Sequence, residues 1–320
     1  AAATLTVLQL AVVTVVVATS STLQRRQSRS LSLRLRSIRC PPVHDGQRRF
    51  VRAVAGLAAL VVMAPLAALV ERSLRIRNGY SLHAWRTLGH VDARPGMSIG
   101  IDPLESLVES LKAMAVATVI AVGIGTLAAI AIAAARRGGQ LLDTAMMLPI
   151  ATSAITVGFG ILITFDRSPV DWRSSRWIVP IGHALVAVPF VVRTVLPVLR
   201  GVEPRRLEAA ATLGATPLRA WREVVLPHLR RPMTVAAGLA AAISLGEFGA
   251  TSFLSRSGRE TMPIAIERLL GRTGALLQAQ GYALAVLLAV ATIAVVMALD
   301  ATRRGEPGTG DVVNVRTTGR

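Results

Sequence analysis

The chain has one cysteine, Cys40, and one lysine, Lys112. A single cysteine excludes an intrachain disulfide and a cysteine-based metal site. The only lysine follows Leu111, so no Gly-rich phosphate loop ends in Lys-Ser or Lys-Thr, and the chain is not expected to hydrolyse ATP itself. No His-Glu-x-x-His string occurs among the five histidines. His183 has no second ligand three or four residues away, so neither a metal site nor a cofactor is expected; a bond to a neighbouring helix is. Acidic residues number 18 against 36 basic ones. The sequence shows no clear internal repeat, and one carboxylate rather than charge pairs at membrane depth. Both absences weigh against a carrier driven by an ion gradient, the alternative from a different class.

What the chain does have is long apolar sequence. It is 52% hydrophobic with a mean hydropathy of +0.53, as expected of an integral membrane protein. Seven segments are candidate spans: Thr4–Thr19, Phe50–Val70, Leu111–Ala135, Leu141–Phe165, Trp177–Leu199, Met233–Leu254 and Gly281–Leu299. The last six are each near the ~20 residues that cross a bilayer as a helix. None alternates with period two, so a barrel is not expected. The fold class read here is all-α, a polytopic transmembrane helical bundle with a six-helix unit over 50–300 and one extra N-terminal helix over 1–20. Between them, residues 21–49 read as a basic cytoplasmic linker, and 301–320 as a disordered cytoplasmic tail.

A basic balance of this size can indicate nucleic acid, but here the arginines flank apolar spans, so lipid and topology account for them and no nucleic-acid partner is expected. With residues 200–232 placed in the cytoplasm, the cytoplasmic segments hold 22 of the 36 basic residues and the outer ones 13. That bias agrees with the positive-inside rule. The outer segments are then 71–112, 166–176 and 255–280.

Residues 200–232 hold the most specific pattern. Glu208, Ala209 and Ala210 are followed at fixed spacing by Gly214, Val224, Leu226 and Pro227. Pro204 suits a first helical position, and Gly214 a helix stop. Thr216 and Pro217 restart a helix, with Leu218, Trp221 and Val224 or Val225 as its apolar stripe, and Pro227 is expected to end it. This string resembles the EAA loop of the permease subunits of ATP-binding-cassette (ABC) importers. The resemblance extends over about residues 50–300, through LLDTAMMLPIATSAITVGFGILI, GHALVAVPFVVRTVLPVL and SLGEFGATSFL.

The resemblance implies a type I importer permease of the bacterial cytoplasmic membrane. Its partners would be two ATP-binding ABC subunits, an external solute-binding protein and a second permease unit, fused upstream or supplied by a homodimer. The seven EAA positions would couple the permease to the ATPase. The stretch from Met262 looks most like the ferric-iron and thiamine group, so ferric iron is expected first, thiamine second, and an oxyanion such as molybdate or sulfate third. In that group two units are often fused, and Thr4–Thr19 would be the last helix of a preceding unit.

Glu247 is the one acidic residue deep in an apolar span, which costs ~2.5–3.5 kcal/mol or more unless a cavity or partner receives it. Ser244, Gly246, Glu247, Gly249 and Thr251 are therefore the candidate wall of a translocation path. A structural carboxylate is the competing reading for Glu247.

Overall fold

Asp102 and Pro103 start the central helix. The Asp102 carboxylate accepts from the backbone N–H groups of Leu104 (2.9 Å) and Glu105 (3.2 Å), and Pro103 fills a position whose N–H would have no partner. The computed structural model describes residues 45–77, 79–89, 92–94, 97–98, 102–135, 138–165, 175–255 and 259–304. The expected helix Thr4–Thr19 and most of the linker and tail lie outside those residues.

Among the described residues the helices are α1 (Asp45–Leu74), α2 (His83–Arg86), α3 (Pro103–Ala134), α4 (Gly139–Ala151), α5 (Ala154–Thr164), α6 (Ile178–Gly201), α7 (Pro204–Thr212) and α8 (Pro217–Ala220). A π-helical turn, Trp221–Val225, leads into α9 (Leu226–Leu245), followed by α10 (Thr251–Leu254), α11 (Met262–Leu270) and α12 (Ala275–Arg304). Two antiparallel hairpins of two to three residues per strand, Arg75–Ile76 with Gly79–Tyr80 and Asp92–Arg94 with Met97–Ser98, are the departures from the all-α expectation.

Helices α3, α6 and α9 pack on one another through small residues, among them Ala117, Ala121, Ala187, Ala236 and Ala240. Lipid tails supply no hydrophobic drive between helices, so close approach through small side chains is what holds such a bundle together. At Gly125 the fit leaves no room: a Cβ there would lie 2.7 Å from the Val191 side chain. Helix α12 packs on α9, α11 and α1, and Arg72 of α1 donates to the Tyr282 hydroxyl at 2.8 Å. Most of α1 is exposed and apolar, as a lipid-facing helix is.

Among the described residues four helices are long and apolar enough to cross a membrane: α1, α3, α6 and α12. Two expected spans are broken. Leu141–Phe165 is not one helix but α4 and α5, bent by 97°. Thr152 is extended there, and its hydroxyl turns back to the Leu148 carbonyl at 2.9 Å. Met233–Leu254 is shifted and interrupted. Its helix starts earlier, at Leu226, ends at Leu245, and resumes for one turn at Thr251. The expected linker and tail are also shorter than read, since α1 begins at Asp45 and α12 runs to Arg304.

The ends of the bundle sort into two groups. Gln280 donates to the Thr87 carbonyl at 3.0 Å, and Met262 N–H to the Ser110 hydroxyl at 2.7 Å. Segments 71–112 and 255–280 thus meet at one end of the bundle. The EAA segment leaves the far end of α6, ~36 Å away at 1.5 Å per residue over its 24 residues.

Candidate functional site: an EAA knob and a broken membrane helix

Helix α7 ends at a Schellman cap. Gly214 has φ +81, its N–H donates to the Ala211 carbonyl (2.9 Å), and the Ala215 N–H reaches back to the Ala210 carbonyl (3.0 Å). Thr216 then caps α8 by accepting from the Arg219 N–H at 3.4 Å, with Pro217 at the first position. These two caps fold the chain back on itself and make a knob.

The base of the knob is anchored. Val225 is buried in the α3–α6–α9 core, with Leu207 and Trp221 packed against it. The tip is bare: Leu213 is 88% exposed and Leu218 69%. Glu208 and Ala209 are also exposed, Ala210 and Val224 are half-buried, and Leu226 and Pro227 follow at the root. Arg219 pairs with Glu223 at 2.9 Å, and Arg206 of α7 donates to His228 Nε2 at 3.2 Å while His228 Nδ1 donates to the Val224 carbonyl. The Arg206–His228 bond ties the knob's first helix to the root of α9, a contact that no local pattern announces.

Pro227 does not end the helix as expected. The chain passes from the π turn straight into α9, with the Leu226 N–H bonded to the Trp221 carbonyl five residues back. In a regular α-helix the Pro227 ring would meet the Glu223 carbonyl; the wider turn relieves that contact. The knob is therefore continuous with a bundle helix, with no break in the helix at Pro227. Beside it, Asp143 of α4 lies 3.7 Å from Arg200 at the end of α6, a half-exposed link that sequence reading missed.

The second site is the break after α9. Glu247, 8% exposed, accepts from the Ala250 N–H at 2.9 Å through Oε1. The Thr251 hydroxyl donates to the Glu247 carbonyl at 2.8 Å. With its proton so used, Thr251 accepts from His183 Nε2 (2.7 Å), which leaves His183 Nδ1 to accept from the Ser244 hydroxyl at 2.8 Å. His183 thus ties α6 to both sides of the break. Gly249 sits against Ile155, where a Cβ would be 3.0 Å from the backbone N, whereas at Gly246 a Cβ would make only ordinary contact, 3.6 Å from the Ala242 carbonyl oxygen. Ser244 and Thr251 are joined through His183, and Thr251 also bonds the Glu247 carbonyl, while the Glu247 carboxylate is taken up by the Ala250 N–H. Gly158 of α5 lies under the same break, where a Cβ would come 2.6 Å from Ala250 Cα.

Among the described residues no group of three or more His, Cys, Asp or Glu side chains is placed to hold a metal ion. The string Gly96-Met97-Ser98-Ile99-Gly100 has the spacing of a hydrolase nucleophile elbow. Ser98, however, lies in a hairpin strand paired with Asp92, not at a strand-to-helix turn.

The chain is similar to known proteins along most of its length. A family model described as "Binding-protein-dependent transport system inner membrane component" matches residues 106–302. The chain is 31% identical over 259 residues to the "Putative 2-aminoethylphosphonate transport system permease protein PhnV" of Salmonella typhimurium, covering 78% of this chain and 94% of that protein. It is 36% identical over 128 residues to the sulfate transport system permease protein CysT of Escherichia coli, covering 37% and 46%. A solved bacterial alginate ABC transporter, in complex with an alginate pentasaccharide-bound periplasmic protein, shares the fold at a TM-score of 0.62 and 16% identity, over 81% of this chain and 96% of that one. These relatives are named for phosphonate and sulfate, which leaves the expected ranking of ferric iron and thiamine without support. The family match and the length of the shared sequence establish that the chain belongs to the binding-protein-dependent inner-membrane components, the permease subunits of ABC importers.

Proposed function

We propose that this permease carries a small solute bearing a phosphonate or sulfate-like oxyanion, delivered by an external binding protein and driven by separate ATPase subunits. The observation that carries the substrate class is the similarity to a 2-aminoethylphosphonate permease along 94% of that protein's length. The similarity to a sulfate permease points to the same chemistry over a shorter stretch. The expected order of solutes is thereby changed: oxyanions come first, ahead of iron and thiamine.

In this reading the exposed Leu213–Leu218 tip docks on the ATPase, and a second permease unit completes the path. Uptake tests the substrate class. Cells with the native binding protein and ATPase are given labelled 2-aminoethylphosphonate, sulfate, ferric iron or thiamine, each alone. Accumulation of one of the first two is expected; accumulation of iron or thiamine alone contradicts it.

The break at Gly246–Ala250 is placed on the wall of the path. A continuous helix satisfies its own backbone, whereas a break at membrane depth survives only where protein or a water-filled cavity receives it. Glu247→Gln keeps an oxygen for the Ala250 N–H while removing the charge. Assembly of the permease is expected to stay near wild type and transport to fall. Glu247→Ala also removes the acceptor, at ~0.5–2 kcal/mol for a lost cap, and lowers the yield of assembled protein as well. Transport by Glu247→Gln at the wild-type rate would restrict the carboxylate to its capping role.

A further inference from the structure

We infer that the end of the bundle opposite the EAA knob holds a binding site for the oxyanion group of the solute, in a cavity of about 510 Å³ between residues 109–116 of α3, residues 175–180 at the start of α6, and Leu254, Arg259 and Thr261. This rests on the oxyanion reading above and assigns a place to it.

Three cationic side chains, Lys112, Arg176 and Arg259, line the cavity with one carboxylate, Glu109. Glu109 is occupied: it accepts from Lys112 at 2.8 Å. Arg176 and Arg259 have no acidic partner among the described residues. The neighbouring Glu260 bonds Arg268 through one carboxylate oxygen. Arg176 and Arg259 come from segments far apart in sequence, and only the fold sets them around one space.

The floor gives the second observation. Thr261 lines the cavity, is 4% exposed, and its hydroxyl has no hydrogen-bond partner among the described residues. It is the residue before α11, yet it makes no capping bond to that helix. A buried hydroxyl left unpaired loses the hydrogen bond it had in water, so a ligand that accepts from it recovers that loss. An oxyanion accepts from a hydroxyl and from guanidinium groups alike, and Arg offers it a planar fork of donors. Ile178 and Leu254 make the rest of the floor apolar, which suits a small organic phosphonate as well as a bare oxyanion. The position suits reception from outside, since α6 separates the cavity from the knob by its full length.

A lipid phosphate offers the same chemistry, so the test separates the two sources. The permease–ATPase complex is placed in nanodiscs of phosphatidylcholine alone or with phosphatidylglycerol, and binding of labelled 2-aminoethylphosphonate and sulfate is measured by equilibrium dialysis. Arg176→Gln combined with Arg259→Gln is expected to weaken binding of the preferred anion about tenfold or more, with the complex intact. Thr261→Val is expected to weaken it less, and Arg259→Lys least. Unchanged affinity in the double variant overturns the site. So does a result in which neither anion binds and the double variant only retains less phosphatidylglycerol, since the cavity then holds lipid. Uptake separates this failure from that of the substrate reading. Oxyanion uptake that is unaltered in the double variant removes the site and leaves the reading; wild-type protein that takes up no oxyanion removes the reading itself.

Discussion

Gly214→Val is expected to leave the protein in the membrane and to cut uptake about tenfold or more. At φ +81 the Gly214 backbone sits where a branched side chain is strained by ~1–2 kcal/mol, which corresponds to roughly a tenfold shift between competing conformations. The strain is conformational, not a clash, because a Cβ at this position meets nothing within 4 Å. The bundle has no reason to unfold, but the turn between α7 and α8 does have reason to open. That turn sets the spacing of Leu213 and Leu218, the two bare apolar side chains at the tip. Gly214→Asn provides the control, since Asn tolerates the left-handed region, and it should keep much of the transport. Co-purification with the ATPase and uptake are the measurements. Undiminished complex and uptake in Gly214→Val would show that the knob's geometry is not what the ATPase requires.

Gly158→Val should instead prevent assembly. A Cβ there falls 2.6 Å from Ala250 Cα and 2.7 Å from the Ala250 carbonyl oxygen, both backbone atoms that cannot swing aside as a flexible side chain would. Overpacking of this kind costs about 1–3 kcal/mol even where the surroundings adjust. Here the surroundings are the broken helix, already held by the Glu247–Ala250 bond and the His183 bridge. The yield of monodisperse permease should fall several-fold, as read by size-exclusion chromatography in detergent. Gly160→Val, two residues on with nothing within 4 Å, should behave as wild type. Equal yields from the two variants would mean that α5 does not seat on the break as described.

The knob was legible because its rules are local. A glycine that stops one helix, and a threonine and proline that start the next, act through their own backbone, and each stands where sequence placed it. The positions of the long helices were legible for a similar reason, since hydropathy reports composition over a span. Composition does not report continuity. Leu141–Phe165 and Met233–Leu254 are apolar throughout, yet both break, and the breaks are stabilised by contacts between residues far apart in the chain. Gly158 meets Ala250, and His183 bonds Ser244 and Thr251 across 61 and 68 residues. Pro227 failed as a stop signal because a wider turn absorbs it, which its own neighbours do not announce. The outer cavity was hidden because Lys112, Arg176 and Arg259 read singly as flanking charges. The ranking of iron first found no support among the relatives because strings such as GEFGAT are shared among permeases of different solutes, and so report the scaffold.

On the function proposed above, this chain forms part of an ATP-driven importer, and the 204–225 knob is the element that receives the drive. The most direct measurement is uptake of the preferred oxyanion into proteoliposomes that hold the permease with its ATPase, with solute-loaded binding protein outside and ATP enclosed. Uptake should require both ATP and binding protein, should persist when ion gradients are collapsed, and should fall about tenfold or more in Gly214→Val. Uptake that proceeds without ATP and stops when an ion gradient is collapsed would contradict the account.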